Sequence, residues 1–190
     1  MRHAEARDAR ADTDPDLLAV RAAQADRAAF EVLYRRYVAR VYGYAFYQLG
    51  DHHDAEDATE RTFLAALGAL GSYRERGSTF RAWLFRIAHN TIANMRRSRR
   101  RRRQEPIPPD PAWPAPNADP AGLVTRADEL RAAMRAVTAL PEERRQVILL
   151  RFVDGLSAVE IGEVLGRSPG AVRVLQHRAL RDLARILDAG

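Results

Sequence analysis

Residues 156–172 read Leu156-Ser157-Ala158-Val159-Glu160-Ile161-Gly162-Glu163-Val164-Leu165-Gly166-Arg167-Ser168-Pro169-Gly170-Ala171-Val172, and their order decides the fold of the C-terminal part of the chain. Ser157 followed three residues later by Glu160 is a capping box, in which hydroxyl and carboxylate each satisfy a free amide at a helix start. Ile161, Val164 and Leu165 repeat at helical spacing, and Gly166 can take the left-handed conformation that ends such a helix. Ser168 is a second cap and Pro169 suits the first helical position. Val172, Leu175, Ala179, Leu183 and Ile186 or Leu187 then mark the buried side of a longer last helix. Short helix, glycine turn and capped helix make the helix-turn-helix plan.

In such a unit the second helix enters the DNA major groove. Its exposed positions here are Gly170, Ala171, Arg173, Val174, His177, Arg178 and Arg181. Arginine can grip guanine O6 and N7 with two bonds, and a small apolar side chain such as Ala171 or Val174 can meet a thymine methyl. Helical hairpins of this sort also serve as plain structural units, and the flanking Arg144, Arg145, Arg151 and Arg167 suit either phosphate or solvent. Upstream, Leu140-Pro141 opens a helix that buries Val147, Ile148 and Phe152 with Val153 at its margin, and Asp154-Gly155 stops it.

Working back from this unit, residues 104–122 hold seven of the ten prolines, which cannot continue a helix and favour an extended, fairly stiff chain. The segment reads as a linker that holds two domains apart; Trp113 within it is either a docking aromatic or an ordinary loop residue. The expected architecture is all-α: two small helical domains joined by the Pro-rich linker, the C-terminal one a helix-turn-helix. Residues 1–14 are expected to form a flexible start, 15–103 the first domain and 123–190 the second. In the first domain Asp14-Pro15-Asp16 and Asp26 are helix-start signals. Phe30, Leu33, Tyr34, Tyr37, Val38, Val41, Tyr42, Ala45, Phe46 and Leu49 line one face of a long helix ended by Gly50. His52-His53-Asp54 opens the next, apolar at Ala55, Ala58, Phe63, Ala66, Leu67 and Leu70 and acidic outside at Asp54, Glu56, Asp57 and Glu60. After the break from Gly71 to Gly77, Ser78 is a candidate cap for a helix bearing Phe80, Trp83, Leu84, Ile87, Ala88, Thr91, Ile92 and Met95.

Charge separates these parts. All 31 basic residues are arginine and the net charge is +6, yet residues 73–103 alone hold 11 Arg against Glu75, a local +10. Residues 1–72 carry 9 Arg and 12 acids, a net −3. One strongly acidic and one strongly basic surface in so small a domain point to two different macromolecular partners, against the plain readings of a solvated helix start and a disordered basic tail. With no cysteine there is no disulfide framework or Cys-ligated zinc. The run Phe63 to Gly71 is far short of a bilayer span and the first residues lack an apolar core, so a soluble cytoplasmic protein is expected. No nucleophile elbow, phosphate loop or metal-ligand spacing argues for an enzyme or a cofactor.

Taken together, these residues resemble the extracytoplasmic-function (ECF, group IV) sigma factors, the small two-domain members of the primary bacterial sigma family. Asp54-Ala55-Glu56-Asp57-Ala58-Thr59-Glu60-Arg61-Thr62-Phe63-Leu64 resembles the segment that docks on the β′ clamp helices of RNA polymerase. Phe80-Arg81-Ala82-Trp83-Leu84-Phe85-Arg86-Ile87-Ala88-His89-Asn90 with the arginines behind it resembles the segment that melts and reads the minus-10 element. Leu140-Pro141 through His177-Arg178-Ala179 resembles the minus-35 reader.

The resemblance implies core-polymerase contacts at Asp54, Glu56, Asp57, Glu60 and Phe63, and minus-10 contacts at Arg76, Ser78, Arg86, Asn90, Asn94 and Arg97. It implies minus-35 contacts at Arg167, Ser168, Ala171, Arg173, Val174, His177, Arg178 and Arg181. Core RNA polymerase (β′ clamp helices and β flap) and promoter DNA are the implied partners, with room for an anti-sigma factor, no membrane, no metal and no catalysis by the chain. The loop Tyr73–Thr79 stands where the family captures a flipped base. Glu60-Arg61 replaces a common Gln-Glu, Asn94 a common acid and Ala171 a common threonine. A response regulator of the LuxR type would explain residues 123–190 but neither the acidic helix nor the aromatic and arginine segment. A recombinase would need a nucleophile that is absent.

Overall fold

The computed structural model describes residues 14–74, 78–102 and 132–188. Arg76, the linker with Trp113 and the first residues lie outside them. The described residues are helical: α1 Leu17–Ala25, α2 Phe30–Leu49, α3 His52–Ala69, α4 Phe80–Arg102, α5 at 132–139, α6 Glu142–Ile148, α7 Ala158–Leu165 and α8 Pro169–Asp188. None is long and apolar enough to cross a membrane.

Helices α2, α3 and α4 pack on one another, with α1 against α2. The bundle is built around rings. Phe80, fully buried, meets Tyr37 at 5.9 Å, Tyr73 at 5.9 Å and Trp83 at 5.5 Å between centroids, while Tyr44 abuts Phe85 edge-on at 5.6 Å. Burial of each such side chain contributes roughly 1.5–3 kcal/mol. The cap signals at the N-terminal end act at longer range than their sequence suggests. Asp14 accepts the Phe80 amide at 2.8 Å and so caps α4, and Asp16, wholly buried, accepts bonds from Arg36 and the Tyr37 hydroxyl. Burial first, and then the Asp16 carboxylate, push the Tyr37 phenol well above its ordinary value. The cap expected at Ser78 falls one residue later: Thr79 Oγ1 accepts the Ala82 amide at 3.2 Å, and the Ser78 carbonyl accepts the Tyr73 hydroxyl at 3.1 Å.

The C-terminal helices have an aliphatic core of Val147, Leu149, Leu150, Leu156, Ile161 and Val172. Ser157 and Glu160 form the complete capping box, and Gly166 closes α7 at φ 65°. Gly162 is required for a different reason. A Cβ there would stand 2.5 Å from the Arg167 carbonyl oxygen, so the turn can fold back on α7 only over a bare backbone. Phe152 and Val153 are not buried as their spacing suggests; Phe152 is 57% exposed. The last turn of this segment, Leu149–Val153, is a π turn, wider than an α turn, in which Leu149 and Leu150 lie in the core and Arg151, Phe152 and Val153 face outward.

A stiff linker suggests separated domains, but the two helical groups touch. Helix α7 packs on α4, and the π turn contacts α2. The Thr79 hydroxyl donates to Glu160 at 2.6 Å, Arg81 pairs with the same carboxylate at 3.3 Å, and Arg96 pairs with Glu142.

Candidate functional site

Asp51 starts α3 by accepting the Asp54 amide at 2.9 Å, which holds the Asp51 carboxyl below the ordinary range. From there the spacing of Glu56, Glu60 and Phe63 sets them on one side of the helix. Together with Phe30, Tyr34, Tyr42, Thr59, Leu64 and Leu67 they line an open groove of about 420 Å³ between α2 and α3. Phe63 is nearly buried and forms its floor, with Tyr34 edge-on at 4.9 Å. The exposed apolar surface comes instead from Leu64, 61% exposed, and the half-open Tyr34. Leu64 is the groove residue that the apolar stripes miss, because a stripe marks the centre of a packed face and not its rim; Tyr34 belongs to the stripe of α2 but stands half-open at the groove's edge rather than in the core. The other two acids of the set lie outside this groove: Asp57 pairs with Arg61 at 2.6 Å and Asp54 with Arg99. Beside the groove, the Tyr42 hydroxyl meets His52 Nδ1 at 2.6 Å.

Helix α4 presents a second surface. Arg86, Asn90, Asn94 and Arg97 are all exposed and, at spacings of four, four and three, form a continuous stripe. Arg97 donates to Asn94 Oδ1 within it. Arg96 and Arg99, although in the same arginine run, are turned aside into ion pairs with Glu142 and Asp54. Ser78 is half-buried at the foot of the helix. A stripe of arginine and amide side chains, whose Arg86 and Arg97 have no ion-pair partner among the described residues, can follow a phosphate chain and hydrogen-bond unpaired base edges.

The third surface is α8. Ser168 Oγ accepts the Ala171 amide at 3.2 Å and fixes the helix start. Arg173, Val174, His177, Arg178 and Arg181 are exposed beyond it, Val174 by 51%, and Ala171 is half-buried. Arg167 is exposed at the turn and pairs with Glu143. The flanking arginines are committed elsewhere: Arg144 to Asp182, Arg145 to the Thr138 carbonyl at 3.0 Å, and Arg151 to the Leu156 carbonyl at 2.9 Å. Among the described residues Arg173, Arg178 and Arg181 have no ion-pair partner, so α8 offers three free guanidinium groups in line with a small apolar residue.

Comparisons with known proteins give the family of the fold that carries these surfaces. Residues 33–102 match the Sigma-70 region 2 model and residues 130–183 the Sigma-70 region 4 model. The ECF RNA polymerase sigma factor ShbA of Streptomyces griseus is 36% identical over 139 residues, covering 72% of this chain and 73% of that protein. The ECF RNA polymerase sigma factor BldN of Streptomyces coelicolor is 37% identical over 169 residues, covering 88% of this chain and 64% of BldN, so the match spans just under two thirds of that relative. Among solved structures, CnrH in complex with the cytosolic domain of CnrY is 28% identical with a TM-score of 0.67, covering 93% of this chain and 98% of CnrH. The chain belongs to the ECF RNA polymerase sigma factors.

Proposed function

We propose that this chain is a promoter-recognising initiation factor of the cytoplasm, a group IV member of the primary sigma family. It binds core RNA polymerase through the groove between α2 and α3, with Glu56 and Glu60 at its margin and Leu64 and Tyr34 as apolar anchors. Asp57 extends the acidic contact, Phe63 supports it from below, and Asp54 serves mainly to orient Arg99. Arg86, Asn90, Asn94 and Arg97 then track the separated minus-10 strand, with Ser78 and Arg76 near the flipped base. Arg173, Arg178 and Arg181 read or hold the minus-35 duplex, Val174 and Ala171 meet methyl groups, and His177, Ser168 and Arg167 add polar contacts at the turn. The β flap is the further polymerase contact for the C-terminal domain, taken as residues 123–190 beyond the linker 104–122, and 15–103 is the first functional domain.

The chain performs no bond-making step itself. Binding energy from duplex and single-strand contacts offsets the cost of unpairing bases, a few kcal/mol for each flipped base. The observation that carries this reading is the sorting of arginines among the described residues: Arg96, Arg99, Arg144, Arg145 and Arg151 are bonded within the fold, whereas Arg86, Arg173, Arg178 and Arg181 have no ion-pair partner, Arg97 bonds only to Asn94 of its own stripe and Arg167 pairs with Glu143 at the turn. Anti-sigma control is consistent with the solved relative CnrH, which is held by CnrY. Gel filtration of the full chain with core RNA polymerase tests the reading: co-elution is expected, and failure to associate contradicts it.

A further inference from the structure

The stripe occupies only one side of α4. On the side turned to the C-terminal helices, Arg81 reaches Glu160 at 3.3 Å and the Asp154 carbonyl at 3.4 Å, and Thr79 donates to Glu160 at 2.6 Å. Farther along the same helix, ~22 Å away at 1.5 Å per residue, Arg96 pairs with Glu142. Glu160 therefore has two tasks, because its other oxygen accepts the Ser157 amide at 2.7 Å to complete the capping box of α7. Burial alone would raise the Glu160 carboxyl, but the Thr79 and Ser157 hydrogen bonds and Arg81 together hold it below the ordinary range.

We propose that the chain closes on itself without any partner, that Glu160 is the latch, and that its release from Arg81 and Thr79 is the step that lets the two exposed reading surfaces move apart. The need for release rests on the promoter-reading function. Elements named minus-35 and minus-10 lie about 25 base pairs apart, ~85 Å of duplex at 3.4 Å per step, whereas a compact fold of this length has a radius of gyration of only ~16 Å. Helices α4 and α7 in contact cannot reach both. Residues 104–122, if extended as their prolines favour, span ~60 Å and so permit the open form. The contact joins the apolar cores of the two groups as well as these polar pairs, yet it buries the Asp154 carboxyl and the Arg81 Nε without hydrogen-bond partners, which costs free energy that opening recovers.

The natural sequence has no cysteine, so cysteines placed at the exposed Ala65 and Ala184 accept a donor and acceptor dye cleanly. In the full chain alone, at low salt, efficient energy transfer is expected. Glu160→Gln keeps the capping box, since Gln serves that position as Glu does, and removes the ion pair. Arg81→Gln removes it from the other side. Each should shift the closed-to-open ratio toward open by about tenfold, the loss expected for one charged hydrogen-bond pair, and raise the radius of gyration from X-ray scattering. The double variant should add little. A parent already extended, or variants whose transfer and radius equal the parent's, overturn the latch. Because neither polymerase nor DNA is present, this outcome is separate from the function reading, whose own failure would show as no binding of core polymerase by parent or variant.

Discussion

The acidic surface of α3 and the basic surfaces of α4 and α8 differ in more than sign. Glu56 and Glu60 border an apolar groove floored by Phe63 and rimmed by Leu64 and Tyr34, whereas Arg86, Arg97, Arg173 and Arg178 stand out from their helices beside amide, methyl or hydroxyl groups. A groove with apolar anchors inside a charged rim suits a protein partner, where desolvated contacts carry most of the affinity. Unpaired guanidinium groups on a convex helix suit a nucleic acid, where charge and hydrogen bonds to base edges dominate. The lesson is that the ligand class is set by what surrounds the charge.

The largest effect should come from the groove. Leu64→Asp with Glu60→Ala is expected to weaken core-polymerase binding by at least ~2 kcal/mol, as for a central interface anchor, with minus-35 duplex binding unchanged in a fluorescence titration. Equal losses in both assays would erase the distinction. Next, Arg173→Ala should cost about 1–3 kcal/mol and relax base preference if its contact is bidentate, measured over a panel of single-base duplex variants. Arg97→Ala should instead weaken single strands of any sequence alike and flatten the salt dependence by ~0.7 in slope.

A smaller effect concerns stability. Burial pushes Asp154 up to about 8, only partly offset by Arg40 and Arg81, and the Tyr44 phenol faces it from α2. The folded chain therefore holds a proton that the unfolded chain has released. This group's contribution is most favourable in acid and is lost as pH rises from the ordinary carboxylate range to about 8, where it levels off. Asp154→Asn should remove that slope in thermal melts and raise Tm by ~2–4 °C near pH 8, for a gain of about 1 kcal/mol. Smallest of all, Arg144→Ala should leave DNA affinity intact and cost only about 1 kcal/mol of stability, since its partner Asp182, although largely covered, keeps a second ion pair with Arg185.

Much of this is legible in the sequence wherever the signal is local. The Ser157 and Glu160 box, the Gly166 and Gly50 terminators and the apolar stripes specify α2 to α4, α7 and α8 because each depends on neighbours within a turn or two. Three things are not. Asp14 caps a helix 66 residues away, and no spacing rule carries that information. The segment Leu149–Val153 winds as a π turn that no residue spacing announces, and Phe152 emerges there although the helical period of the segment would bury it. The commitment of Arg81, Arg96 and Arg144 to internal partners separates them from the free arginines only once the fold brings Glu160, Glu142 and Asp182 near.

The central claim is that the groove, the α4 stripe and α8 act together on one promoter. Its most direct test is transcription reconstituted from purified core polymerase, this chain and a library of templates varied in both elements and in the spacing between them. The account predicts transcripts only when the chain is added, from templates that keep both elements at one preferred separation. Initiation that ignores either element, or that proceeds equally without the chain, would contradict it.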